Sequence, residues 1–268
     1  MTKYFGLDID EIIKRLIDSS GDTVCYLNLL NVIQQGDKPK MELKKYNQLK
    51  KEDRIKALKN VCKRCSYQDK FRGWDPYAIL IQSIWKDAGL PDSKVKKVFG
   101  HVDDEKDIYK DIVKFLRKQN SFKNLIVIDT HNKRGKQGIR FADITLFKKE
   151  SLLGKFSRYV LSVEVKAKSG AFDHLLSQLA DASTFSRNVY AVVTPGLLIE
   201  ESMKRNNMNE AGKSVLKKLK MQGSGIIIYD PVKSACDIIW PPQANTLLKG
   251  QEQKKALENL DLLEAKIK

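Results

Sequence analysis

Asp143 and the triplet Glu164-Val165-Lys166 are the residues whose types and spacing best suit chemistry in this chain. From Tyr159 to Ala167 apolar and polar residues alternate, the pattern of a strand whose side chains point by turns to opposite faces. Tyr159, Leu161, Val163 and Val165 then share one face, and Ser162, Glu164 and Lys166 the other. The preceding segment repeats the arrangement, with Ala142, Ile144 and Leu146 on an apolar face and Asp143 pointing away from them. If the two strands pair, Asp143 and Glu164 meet, with Lys166 beside them. Two carboxylates at one point are costly unless a cation lies between them. Oxygen ligands with open positions suit Mg2+ or Mn2+. A lysine beside such an ion can orient or deprotonate an attacking water, or steady the charge on a phosphate.

The triplet alone is a weak signal, because Glu42-Leu43-Lys44, Glu252-Gln253-Lys254 and Glu264-Ala265-Lys266 have the same form. Those copies lie in segments that read as helical or irregular, where residues two apart do not share a face. Read without its surroundings, the Glu164 copy is equally an exposed strand face with two ordinary charges. Its surroundings separate the cases. Residues 1–100 read as a helical, basic N-terminal region with no strand pattern. Helices are expected around Ile9, Ile12, Ile13, Leu16 and Ile17, from Cys25 to Ile33, around Ile55, Leu58, Val61 and Cys62, and from Tyr77 to Trp85. From residue 101 the rhythm changes. A helix from Asp103 to Lys118 is followed by strands at Asn124–Asp129, Arg140–Phe147 and Tyr159–Ala167, a helix at Phe172–Ser186 and a strand at Val189–Val193. Two late strands, Gly225–Tyr229 and Asp237–Trp240, close a 101–246 domain. Residues 247–268 read as a helical tail. Helix, three strands, helix, strand is an α/β layer with a mixed sheet.

That order, with Asp143 on the second strand and Glu164-Val165-Lys166 on the third, resembles the PD-(D/E)xK nuclease superfamily. The resemblance implies a restriction-endonuclease-like core, a central mixed β-sheet flanked by helices. It implies Asp143, Glu164 and Lys166 as catalytic residues, with Asp143 and Glu164 holding Mg2+ or Mn2+. Gln178, in Leu175-Leu176-Ser177-Gln178, matches a glutamine that some members carry on the following helix; it is equally a polar residue on a half-buried helix. Members often have an acidic residue on the first core helix near the metal. Glu105 fits that position, with Asp107 and Asp111 as rivals and a solvated acidic helix start as the alternative. Ala142 stands where the family name has proline. The implied activity is metal-dependent hydrolysis of DNA, with endonuclease action favoured. Homodimers are common among members that cut both strands. The alternatives are a non-catalytic nucleic-acid-binding protein with a nuclease-like fold, and a nuclease subunit that needs a partner protein in a DNA-processing complex.

Composition agrees with a polyanion partner. The 268 residues carry 49 Lys and Arg against 33 Asp and Glu, a formal charge of +16, which attracts nucleic acid or an anionic surface. The run Lys38–Arg72 holds 13 basic against four acidic residues, with Tyr46, Tyr67 and Phe71 among them and Trp74 beyond. It is either a phosphate-backbone grip or a solvated helix face. No stretch has the length and apolarity of a membrane span, and no amphipathic stretch has the form of a membrane anchor. The opening residues lack a signal-peptide pattern, so a cytoplasmic, reducing setting is expected. Cys62 and Cys65 have the spacing of half a zinc site without its other half, and read as ordinary helix cysteines. Ala211-Gly212-Lys213-Ser214 lacks the glycine and the leading strand of a phosphate loop, which argues against nucleotide binding. His131, with Lys133, Arg134 and Lys136, falls in a turn between two strands. It reads as surface, or as a DNA contact.

Overall fold

In the computed structural model, residues 3–4, 7–21, 43–58, 98–123, 125–131, 140–152, 155–167, 172–204, 213–245 and 258–260 are described. The chain divides into two units, residues 1–101 with 198–214 and residues 102–197 with 215–268. The first begins with a hairpin, β1 (Lys3–Tyr4) and β2 (Leu7–Asp8), that the sequence does not announce. Two-residue strands are too short to show a period. Helix α1 (Ile9–Ser20) follows, with Ile12 and Ile17 buried. Arg15 is buried beneath it, donating to Glu11 Oε1 at 2.9 Å and to the Val98 carbonyl at 3.1 Å. Helix α2 (Leu43–Gln48) and a helical stretch at 51–58 cover part of the basic run. Tyr46 there is fully buried, so it is a core residue and not an exposed base-stacking platform. The expected helices at Cys25–Ile33 and Tyr77–Trp85, with Cys62, Cys65, Tyr67, Phe71 and Trp74, lie outside the described residues.

The second unit is α/β. Helix α3 (Lys106–Lys118) and a 3-10 turn at Asn120–Phe122 lead into β3 (Ile126–Asp129), β4 (Ile144–Leu152) and β5 (Lys155–Lys166). Helix α4 (Phe172–Ser183), β6 (Asn188–Val193), α5 (Pro195–Lys204, which groups with the first unit from Leu198 on), α6 (Lys213–Met221, in the second unit from Val215 on), β7 (Gly225–Asp230) and β8 (Ala235–Trp240) follow. The six strands form one mixed sheet in the order β3-β4-β5-β6-β7-β8. The pairs β3–β4, β4–β5 and β7–β8 are antiparallel, while β5–β6 and β6–β7 are parallel. Ile108, Ile112 and Leu116 of α3 pack on Ile144, Leu146, Leu161, Val163 and Val165. A fully buried side chain of this kind contributes about 1.5–3 kcal/mol. Every described residue of β6 after Asn188 and all of β7 are buried, as expected of parallel strands covered on both faces. Of the 247–268 tail only 258–260 are described, and these are helical. Among the described residues no helix is long and apolar enough to cross a membrane.

Several boundaries differ from the expected ones for local reasons. Helix α3 starts at Lys106 and not Asp103: its N-cap is Glu105, and the turn before it is held by Asp104, whose Oδ1 accepts the Lys106 N–H at 3.2 Å and whose carbonyl accepts the Asp107 N–H at 3.0 Å. Strand β4 starts at Ile144 and not Arg140, because side chains take over the ladder there. Thr130 Oγ1 donates to the Ala142 carbonyl, and Asp143 Oδ2 accepts the Val165 N–H at 2.8 Å. Beyond Phe147 the charged residues Lys148, Lys149 and Glu150 hide the continuation of β4 to Leu152. Ala211-Gly212 lies outside the described residues, and Lys213 begins α6.

Gly225 is needed for the β6–β7 contact. A Cβ at this position would lie 2.5 Å from Tyr190 Cε1 and 2.9 Å from Pro242 Cδ. Tyr190 is its partner in the register and is buried, so the ring cannot swing away freely. Gly225→Ala is expected to lower stability by about 1–3 kcal/mol, the usual cost of overpacking, read as an earlier midpoint in chemical denaturation. An unshifted midpoint would contradict this packing.

Candidate active site

The register of β4 and β5 places the two acids together. Ile144 lies opposite Val163, so one further step puts Asp143, just ahead of β4, across from Glu164. Both are buried, Glu164 to 3 % exposure. Glu164 lies in a central strand, paired also to Ala191 of β6, which removes it from water. On the same face Thr145 meets Thr130 and Ser162 meets Ser186 in buried hydroxyl pairs. Ile144, Leu146, Leu161, Val163 and Val165 lie instead in the apolar cluster with α3, so the alternation read from the sequence holds at Leu161 to Val165.

Electrostatics mark the pair as unfinished. Burial, then the charge of Asp143 and a hydrogen bond to it, push the Glu164 carboxyl up to about 9; Lys166 and Arg140 offset this only in part. Glu164 Oε2 is buried without a hydrogen-bond partner, and so is Gln178 Oε1 on α4. A buried acceptor left unmade costs about 1–3 kcal/mol, more when charged, and either a proton or a cation would relieve it. The donor set available is carboxylate and amide oxygen, the chemistry of Mg2+ and Mn2+ sites.

Lys166 Nζ donates to Glu105 Oε2 at 3.0 Å, and the Ala167 N–H donates to Glu105 Oε1 at 3.1 Å. Glu105, at the N-terminal edge of α3, therefore spends both oxygens on the end of β5. It holds Lys166 instead of joining Asp143 and Glu164 in one cluster. Among the described residues no group of three or more His, Cys, Asp or Glu side chains is gathered as a metal site. Of the rivals, Asp111 accepts from the Tyr229 hydroxyl at 2.9 Å and Asp107 accepts the Asp104 N–H at 3.3 Å. The end of β5 is tied further by Thr194, which donates to the Ala167 carbonyl at 3.2 Å. Thr194 also caps α5 through the Leu197 N–H.

Two residues at Asp143 were not expected there. His131 Nδ1 is 3.0 Å from Asp143 Oδ1 and 2.9 Å from the Tyr109 hydroxyl. The two rings meet edge to face, with centroids 5.2 Å apart. His131 is thus partly buried in the site and not a free surface turn; Lys133, Arg134 and Lys136 lie outside the described residues. The register gave only nearness: Asp129 pairs with Ile144, so Thr130 comes opposite Asp143, and it is the turn after β3 that brings the His131 ring back to it. Tyr109 is one helical turn after Glu105, on the face that meets the sheet.

The raised Glu164 carboxyl has a consequence for stability. Between about 4.5 and about 9 the folded chain holds a proton that the unfolded chain has released. Stability of the metal-free chain therefore falls as pH rises through this window, with a slope from this group of up to about 1.4 kcal/mol per pH unit. Chemical denaturation in chelator across the window should show the midpoint falling more steeply for the wild-type chain than for Glu164→Gln. Parallel slopes would contradict the buried, proton-holding carboxyl.

No protein-family model, curated protein or solved structure matches the chain.

Proposed function

We propose that the chain is a metal-dependent nuclease that hydrolyses phosphodiester bonds of DNA, with a restriction-endonuclease-like core in residues 101–246. The single observation that carries this reading is Glu164: buried, beside Asp143, with one oxygen left without a partner and Lys166 two residues on. A site built only for stability would not leave that acceptor unmet. Support comes also from the order helix, antiparallel β3-β4-β5, helix, parallel β6, and from the charge of +16.

Asp143 and Glu164 would hold Mg2+ or Mn2+, with Gln178 Oε1 as a neighbouring acceptor. When bound, the ion supplies positive charge for the phosphate and lowers the pKa of a coordinated water. The chain's own groups do the rest. The Val165 N–H fixes one Asp143 oxygen. Lys166, anchored by Glu105, carries a positive charge to the end of β5, where it can orient the nucleophile or steady charge developing on the phosphate.

The test is incubation of the purified chain with linear, circular, branched and single-stranded DNA, in Mg2+, in Mn2+ or in chelator. Cleavage of at least one of these substrates with metal, and none in chelator, is expected. Cleavage that persists in chelator would sink the proposal.

A further inference from the structure

Asp143 is held from three sides. The Val165 N–H donates to Oδ2 at 2.8 Å. His131 Nδ1 stands 3.0 Å from Oδ1. In the Nδ1–H tautomer the imidazole donates this bond to the carboxylate. Tyr109 closes the third side: its hydroxyl lies 2.9 Å from the same ring nitrogen and is hydrogen-bonded to Asp143, which takes the phenol proton because a protonated Nδ1 cannot accept it.

The placement is built, not incidental. Tyr109 is buried in the α3 core. His131 is fixed through its backbone as well, its N–H donating to Asp129 Oδ1 at 3.0 Å. Thr130, between them, is bonded through its N–H to the Asp143 carbonyl at 2.9 Å and through its hydroxyl to the Ala142 carbonyl. The end of β3 is thus sewn to the start of β4 at the residue that must face Glu164. Each donor occupies part of an Asp143 oxygen and leaves the rest directed elsewhere, which fixes where a cation shared with Glu164 could be met.

Resting on the nuclease reading, we propose that His131 and Tyr109 are positioning residues: a two-donor clamp that orients the Asp143 carboxylate and so sets the affinity of the site for a divalent cation. Hydrogen-bond partners of metal-ligating groups typically contribute about 10- to 100-fold in affinity. The clamp acts before any substrate arrives, so Mn2+ alone is the probe.

The experiment is calorimetric titration of the full chain with Mn2+, beside thermal melts in chelator. Tyr109→Phe and His131→Ala are each expected to weaken Mn2+ binding by about 10- to 100-fold. His131→Asn, which keeps an N–H near Nδ1, is expected to restore most of it, a rescue that a merely structural role would not show. Lys114→Ala, on the exposed side of α3, should bind as the wild type does. Should His131→Ala fail to fold, Tyr109→Phe, which keeps the ring, decides. Wild-type affinity in Tyr109→Phe and His131→Ala overturns the clamp and leaves the nuclease reading standing. An Asn variant as weak as the Ala variant overturns the donor role of His131. Absence of Mn2+ binding by the wild-type chain overturns both.

Discussion

Glu164→Gln is expected to abolish metal-supported cleavage and, at the same time, to make the metal-free chain more stable at neutral pH. The loss of rate should be on the order of a thousandfold or more, several kcal/mol at about 1.4 kcal/mol per tenfold, because the substitution removes one of the two carboxylates offered to the ion. The gain has the opposite origin. Glu164 is taken out of water on a central strand and set beside Asp143, so its charged form is penalised by burial first and by like charge second. Glutamine has nearly the same shape, carries no charge, and presents an N–H2 that can donate to Asp143. Stability bought back by neutralising a functional carboxylate is a common trade at active sites. Cleavage kinetics and chemical denaturation of the same preparation check both halves. A variant that cuts normally, or one that is less stable above neutral pH, contradicts the assignment of Glu164.

Lys166→Ala is expected to lower the cleavage rate by about 100- to 10,000-fold, the range for a group that assists proton transfer in the transition state, while leaving most of the Mn2+ affinity. Lys166 does not touch Asp143 through any hydrogen bond of the structure. Its ammonium is 3.0 Å from Glu105, with both side chains less than one-fifth exposed. Its removal leaves Glu105 still accepting the Ala167 N–H, and water can reach the freed oxygen, so stability should change little. The separation of rate from metal affinity distinguishes Lys166 from Glu164, whose loss should damage both. Single-turnover rates together with Mn2+ titrations read the split; a Lys166→Ala chain with intact rate would remove the lysine from the chemistry.

What could be read from the sequence was periodic. The strand around Glu164 alternates cleanly, and its neighbour does so from Ala142 to Leu146, so the shared face of Asp143 and Glu164 was visible before any coordinates. The mixed α/β class followed from the order of those segments. The N-terminal hairpin was not legible because a two-residue strand has no period, and the reach of β4 to Leu152 was hidden by charges on a strand. Glu105 could be read from the sequence as an acidic residue at the start of a helix, but only distances show both its oxygens bonded to the end of β5. His131 illustrates the general limit. A histidine in a basic turn looks like surface, and only the path of the turn after β3 carries its ring to Asp143. Tyr109 likewise reads as one more apolar helix residue, since its hydroxyl gains a role from partners 22 and more positions away.

The rate at which the purified chain nicks covalently closed circular DNA in Mn2+, measured beside Lys166→Ala and beside a chelator control, tests the central claim most directly. Cleavage by the wild-type chain that disappears in chelator and falls at least about 100-fold without Lys166 is the expected result. No cleavage in Mn2+, or equal cleavage with and without Lys166, would contradict it.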